Sequence, residues 1–367
     1  MTTIQAPRPR PGLLDIDPYV GGEANAVPHP RLGRTVRLAS NEGAFGPSPQ
    51  ATAAYRELGG EIHRYPDGGA CALREALAAR FGLDAGRIVA GAGSDELIAL
   101  LTKSYAGPGD EVLYSRHGFL MYPIAAKAVG ATPVAAPEAE LQTDVDALLA
   151  RVTPRTRIVF LANPNNPTGY LLPRAEVERL HAALPSDVIL ALDAAYAEYI
   201  DDPDYSAGAD LVDRAGNVVM LRTFSKIYGM GALRLGWAYA SAGITDILHR
   251  ARGPFNVSAA AQAAGVAALA DRDFVAKSVA HNAEWRRWTA AELAKLGLAP
   301  LPSAGNFLLV DFGDRDAEAA RQHLKGTGIL VRQMGGYGLP SCLRITIGTE
   351  DEMRAVVEAL AEHLRGR

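Results

Sequence analysis

From Val36 to about Tyr239, short runs of apolar residues alternate with longer segments whose apolar positions recur every three or four residues. The short runs predict seven strands: RIVAGAG, EVLYS, TPVAAP, RIVFLAN, VILALD, NVVMLRTF and GWAYA. Several are apolar throughout, the pattern of strands buried on both faces. Between them SDELIALLTKSYA, MYPIAAKAVG, VDALLARV and RAEVERLHAAL read as helices, the first capped by Ser94 or Asp95. Strands separated by helices imply an α/β unit around a mostly parallel sheet. After Ser241 the pattern changes to long helical stretches, then strands NFLLVDF, ILVRQM and CLRITIG and a closing helix, a smaller α+β unit. Ahead of both, Pro7, Pro9, Pro11, Pro18, Pro28 and Pro30 preclude regular structure. The expected division is an N-terminal arm over 1–30, a large domain over 31–240 and a small domain over 241–367. Such arms are disordered or wrap a neighbour.

Composition narrows the function classes. Lysine and arginine total 37 against 41 acidic residues, a net charge of −4. The basic excess of a nucleic-acid or membrane-surface protein is missing. No run approaches the roughly 18 apolar residues of a membrane span, and the first residues lack an apolar signal core. Two distant cysteines, Cys71 and Cys342, fit a reducing, cytoplasmic setting. The eight histidines show no ligand spacing such as HExxH, so metal catalysis is not expected.

In open parallel sheets ligands gather where strands end in loops, and four segments bring reactive groups to such ends. GAGSDE leads through Gly91 and Gly93 into a helix start, where the amides of Ser94, Asp95 and Glu96 suit an anion. It also reads as an ordinary strand–turn–helix. LANPNNPTG forms a rigid turn that can present the Asn166 amide to a ring hydroxyl, or is only a turn. Asp193 ends an apolar strand, either as a helix cap or as a carboxylate facing a cationic ring nitrogen, with Tyr196 just beyond. RTFSKIYGMGALRLGW sets Lys226 among Phe224, Ile227, Tyr228 and Met230, either as a lysine snorkelling from an element end or as a nucleophilic amine whose pKa burial lowers, the reading the surrounding apolar residues and hydroxyls favour. Thr223, Ser225 and Arg234 around it suit a phosphate monoester. One ligand class answers every segment: a pyridine aldehyde carrying a phosphate.

These motifs, with LASNE, HRYPDG, HGFLMYP, GPFNVS, GILVR and CLRITIGT, resemble the fold-type-I aminotransferases that use pyridoxal 5′-phosphate. More narrowly, they resemble the histidinol-phosphate aminotransferase family, from about Pro18 to the C-terminus. The resemblance implies that Lys226 holds the cofactor as a Schiff base and that Asp193 pairs with its ring nitrogen. It implies that Phe119 stacks on the ring, and that Tyr65 reaches the cofactor phosphate of the other subunit of a homodimer. Arg332, Arg344 and Tyr19 would lie near the anionic end of the substrate. The implied reaction moves an amino group from L-histidinol phosphate to 2-oxoglutarate in histidine biosynthesis. Freed Lys226 would then shuttle the α-proton. An aromatic amino-acid aminotransferase is the alternative, and an amino-acid-phosphate decarboxylase a more distant one. Where relatives read NENP or NETPLG, this chain has Asn41-Glu42-Gly43-Ala44-Phe45-Gly46; this is expected to loosen the segment and add an aromatic near the substrate pocket.

Overall fold

The computed structural model describes residues 9–19, 21–23 and 25–366. Of the predicted arm, residues 1–8 with Pro7, and also Val20 and Ala24, lie outside the described residues. Its described part is irregular apart from one 3-10 turn, Leu13–Asp15. It lies against its own chain. Arg10 donates to the Ala128 carbonyl and Lys127 Nζ to Asp15 O at 2.7 Å. Further on, Glu23 pairs with Arg321 (3.2 Å) and Lys325 (2.9 Å).

All seven predicted strands form one sheet, in the spatial order Ile88–Gly91, Gly236–Ala240, Val218–Thr223, Ile189–Asp193, Thr156–Ala162, Glu111–Ser115, Thr132–Ala136. Only Gly236–Ala240 runs antiparallel to its neighbours; the remaining pairings are parallel. The inner strands Glu111–Ser115, Ile189–Asp193, Val218–Thr223 and Gly236–Ala240 are buried throughout, as strands covered on both faces require. One core packs Leu73, Leu77, Leu190, Phe224 and Trp237 on one side, and another packs Leu97, Leu101, Tyr122, Phe160 and Leu221 on the other.

The helix after the first of these strands spans Ser94–Tyr105, but neither Ser94 nor Asp95 caps it. The cap position falls on Gly93, whose φ of 86° turns the chain sharply without any side-chain bond. Both predicted caps lie instead in the first turn, leaving its N–H groups open to a ligand.

The second sheet orders Val36–Leu38, Ile329–Gln333, Cys342–Thr346, Phe307–Asp311 and Ala299–Pro300. Its first strand, read as the head of the large domain, pairs parallel with Ile329, Leu330 and Val331. Its burial alternates, which suits an edge strand with one packed face and says nothing of the partner. Helices Ala242–Ala251 and Ala259–Ala270, read with the small domain, bury residues in the large sheet's cores: Ile244 and Leu248 on one face, Ala261, Ala264 and Ala268 on the other. The second sheet has its own core, which gathers Val36 and Leu38 with Trp285, Leu308, Ile345, Met353 and Leu360. Among the described residues no helix is long and apolar enough to cross a membrane.

Candidate active site

A cavity of about 290 Å³ opens at the carboxyl ends of the central strands, roofed by residues of the second sheet and by segment 39–42. Strand Ile189–Asp193 ends on its floor. Asp193 does not cap a helix: its Oδ2 accepts the Tyr122 hydroxyl at 2.8 Å, and the 3-10 turn beyond begins at Ala197 without a side-chain cap. Buried Oδ1 has no partner. Burial pushes the carboxyl up to about 6, against the bond from Tyr122.

Strand Val218–Thr223 carries the chain to Lys226, whose Nζ donates to Ser40 O at 3.0 Å. Burial draws the amine down from 10.5 to about 8, aided by Arg344 and Arg234 and opposed by Asp95 and Glu42. Tyr196 presents its ring 6.0 Å from that amine, and its hydroxyl accepts from Asn41 Nδ2 at 2.8 Å. An amine that gives up its proton more readily than an ordinary lysine and an unpaired carboxylate oxygen thus share one small space.

The remaining wall is built for an anion. Arg234, in a left-handed conformation (φ 53°), donates to Gly231 O at 2.9 Å, Ser225 Oγ at 3.4 Å and Asp95 Oδ2 at 3.1 Å. A Cβ on Gly93 would fall 2.5 Å from the Arg234 guanidinium, and one on Gly236 would fall 2.5 Å from the Ser94 amide nitrogen. The two glycines keep this cradle open. Ser94, Asp95, Thr223 and Ser225 line it; Glu96 does not, its carboxylate accepting from Ala92 N and Asn256 Nδ2.

Of the three asparagines in NPNN, two are structural. Asn163 exchanges bonds with the backbone of Leu172, and Asn165 donates to His117 O and Thr168 Oγ1. Asn166 faces the cavity, and its Oδ1 accepts from Arg344, which also donates to Ala39 O at 2.9 Å. Phe119, Tyr19 and Arg332 complete the lining, with the Arg332 guanidinium 5.6 Å from the Tyr19 ring. A second cavity of about 610 Å³ lies beside this one under the arm, sharing Tyr19, Gly21, Gly22 and Arg332.

Two expectations fail here. Phe45 does not line the site; it packs on His281 (4.5 Å) and Phe274 (6.4 Å) with Lys277 Nζ 4.7 Å from its ring centre. Nor does Gly43 loosen its segment: a Cβ there would lie 2.9 Å from Lys226 O, so glycine permits a close approach. Tyr65 lies outside the cavity of its own chain, 83 % exposed and stacked on Phe255 at 4.8 Å. Sequence reasoning missed Tyr122 and Asn41. A tyrosine inside apolar MYPIAAKAV hints at a buried hydroxyl in need of a partner. Nothing in LASNE points to Tyr196.

Residues 34–360 match the family described as Aminotransferase class I and II. The chain is 60% identical to histidinol-phosphate aminotransferase of Rhodospirillum centenum, across 99% of this chain and all of that protein. It is 58% identical to the enzyme of that name from Paramagnetospirillum magneticum, across 98% and 99% of the two chains. The crystal structure of histidinol-phosphate aminotransferase from Sinorhizobium meliloti with pyridoxal 5′-phosphate superposes with a TM-score of 0.89 at 32% identity, covering 99% of each chain. With its lysine, aspartate and anion cradle in one cavity, and this match along nearly its whole length, the chain belongs to the class I and II aminotransferases.

Proposed function

We propose that this protein is a pyridoxal-phosphate-dependent transaminase that takes the amino group of histidinol phosphate and passes it to 2-oxoglutarate. The observation that carries the reading is the pairing of a Lys226 amine near pKa 8 with an unpartnered Asp193 oxygen in one cavity of about 290 Å³. The residues present fit the cofactor. Asp193 Oδ1 lacks the donor that a protonated ring nitrogen would supply, and a cradle kept open by Gly93 and Gly236 suits its phosphate. When bound, the group supplies a carbonyl for amines and a ring that draws electrons from the substrate's α-carbon.

The chain's own part is positioning and proton handling. The Ser94 helix start, Ser225 and Arg234 would bind the phosphate. Asp193 would hold the ring nitrogen protonated, Tyr122 steadying its other oxygen. Asn166 and Tyr196 would face the ring oxygen, and Phe119 its face. Lys226 would anchor the cofactor, and its Nζ, once released, would take the substrate's α-proton and hold it for return. Arg344 and Arg332 offer two guanidinium groups, with Tyr19 beside the second, which suits a substrate and an acceptor that are both anionic. The curated relatives' names favour the phosphorylated amine over aromatic amino acids.

The same reading makes the enzyme a cytoplasmic homodimer in which Tyr65 serves the partner's site. It draws support from the exposed apolar group of Ile62, Tyr65 and Phe255 outside the cavity, a surface that invites burial. Mixing Lys226→Ala with Tyr65→Phe protein should then restore activity that neither homodimer shows fully.

A panel of amines with purified protein and 2-oxoglutarate tests the substrate. Glutamate should form with histidinol phosphate at a kcat/KM well above that for phenylalanine or tyrosine. Equal or reversed preference would overturn it, and product without an acceptor would favour a decarboxylase.

A further inference from the structure

Asn41 is 1% exposed, holds a left-handed backbone (φ 55°) and ties the two sheets together. Its N–H donates to Thr346 Oγ1 at 2.9 Å, and that hydroxyl donates back to Asn41 Oδ1 at 3.2 Å. Its carbonyl accepts from Asn306 Nδ2 at 3.1 Å. These bonds determine the orientation of the amide. With Oδ1 taken by the threonine proton, Nδ2 is the group that faces Tyr196, and it donates to the phenol oxygen at 2.8 Å.

The consequence falls on the tyrosine. A phenol has one proton, and the oxygen of Tyr196 already accepts from an amide. Among the described residues no acceptor takes its proton, and the residue lines the cavity. A hydroxyl so placed is a donor waiting for an oxygen. The charged and titratable groups facing it are Arg344, Asp193, Tyr337, Tyr122, Tyr199 and Lys226, none of them replaced by a substitution at Asn41.

We propose that Asn41 is a positioning residue that holds the Tyr196 hydroxyl as a hydrogen-bond donor to the ring oxygen of the cofactor. The proposal rests on the reading of the site as a pyridoxal-phosphate site. A donor to that oxygen stabilises its anionic form. It therefore lowers the pH at which the lysine-linked cofactor loses its proton, visible as a change of absorption band.

The test is a pH titration of that band in the holoenzyme. Asn41→Asp is nearly isosteric, tolerates the left-handed backbone and still accepts from Thr346. Its second oxygen, however, takes the tyrosine proton and turns the hydroxyl away from its task. Losing one hydrogen bond to a charged oxygen should raise the midpoint by about one to two pH units. Tyr196→Phe should raise it similarly, and the double variant no further than Tyr196→Phe alone. Asn41→Gly, which accepts the same φ, loses the bond from Thr346 and frees the tyrosine hydroxyl to rotate without offering it a new acceptor, should give a smaller rise and covers the case in which the aspartate variant does not fold. An unmoved midpoint in whichever of the two variants folds overturns the proposal. So does a rise from Asn41→Asp that persists undiminished in the Tyr196→Phe background, since it would be a direct charge effect. A wild-type protein with no such band would instead defeat the reading of the site itself.

Discussion

The amine of Lys226 offers the sharpest quantitative test. Burial, reinforced by Arg344 and Arg234, brings it from 10.5 to about 8. At about pH 7.4 such an amine is roughly one-fifth neutral, whereas an ordinary lysine is neutral in about one molecule per thousand, a gain of roughly 250-fold in nucleophile. The sign follows from which form burial disfavours: the cation is destabilised, so protons leave at lower pH. With cofactor removed, the rate at which a neutral arylating reagent labels Lys226, read by peptide mass spectrometry, should climb about tenfold per pH unit and level off near 8. Exposed lysines in the same digest should keep climbing. Arg344→Met, which removes the larger cationic contribution, should move the plateau to higher pH, and a melting curve would check that the variant is folded. A Lys226 rate that rises without a break through about pH 10 would refute the argument, because the cavity would then be no drier than the surface.

Other consequences are as direct. Asp193→Asn should keep the shape of the site but remove a buried charge partner; at about 3–5 kcal/mol for such a loss, turnover should fall roughly a hundred- to several-thousand-fold, measured as kcat. Gly93→Ala places a methyl 2.5 Å from Arg234 at φ 86°, so cofactor affinity by equilibrium titration should weaken at least about tenfold, an unchanged affinity arguing against the anion cradle. Beneath the sheet, Arg222 pairs with Glu198 at 2.6 Å, both buried, the guanidinium lying 5.1 and 5.6 Å from the Phe81 and Trp237 ring centres. Arg222→Ala should lower stability to urea by about 3–5 kcal/mol, and Arg222→Met with Glu198→Leu should recover much of it.

How far the site could be read in advance depended on the range of the cause. The Lys226, Asp193 and Asn166 segments each follow a strand whose apolar run is visible locally, and a strand's carboxyl end is where a parallel sheet puts ligands. Ten of the expected residues line one cavity for that reason, and Tyr19, Arg332 and Arg344 reach it from the arm and the second sheet. Phe45 and Gly43 were misread because their neighbours, His281 and Lys226, are remote in sequence. Tyr65 lies outside its own chain's cavity, where a single chain leaves it against Phe255.

The chain's own order of residues determined the seven strands, the alternation that makes their sheet mostly parallel, and the family-specific lysine and aspartate, since periodicity and local chemistry act over a few residues. Only the folded molecule decided that Val36–Leu38 joins the far sheet, that helices beyond Ser241 pack on the near one, and that Asn41 meets Tyr196 across 155 positions. Those outcomes depend on which apolar faces and unpaired polar atoms meet when the two sheets close on each other, and that complementarity is written in no single stretch of the chain.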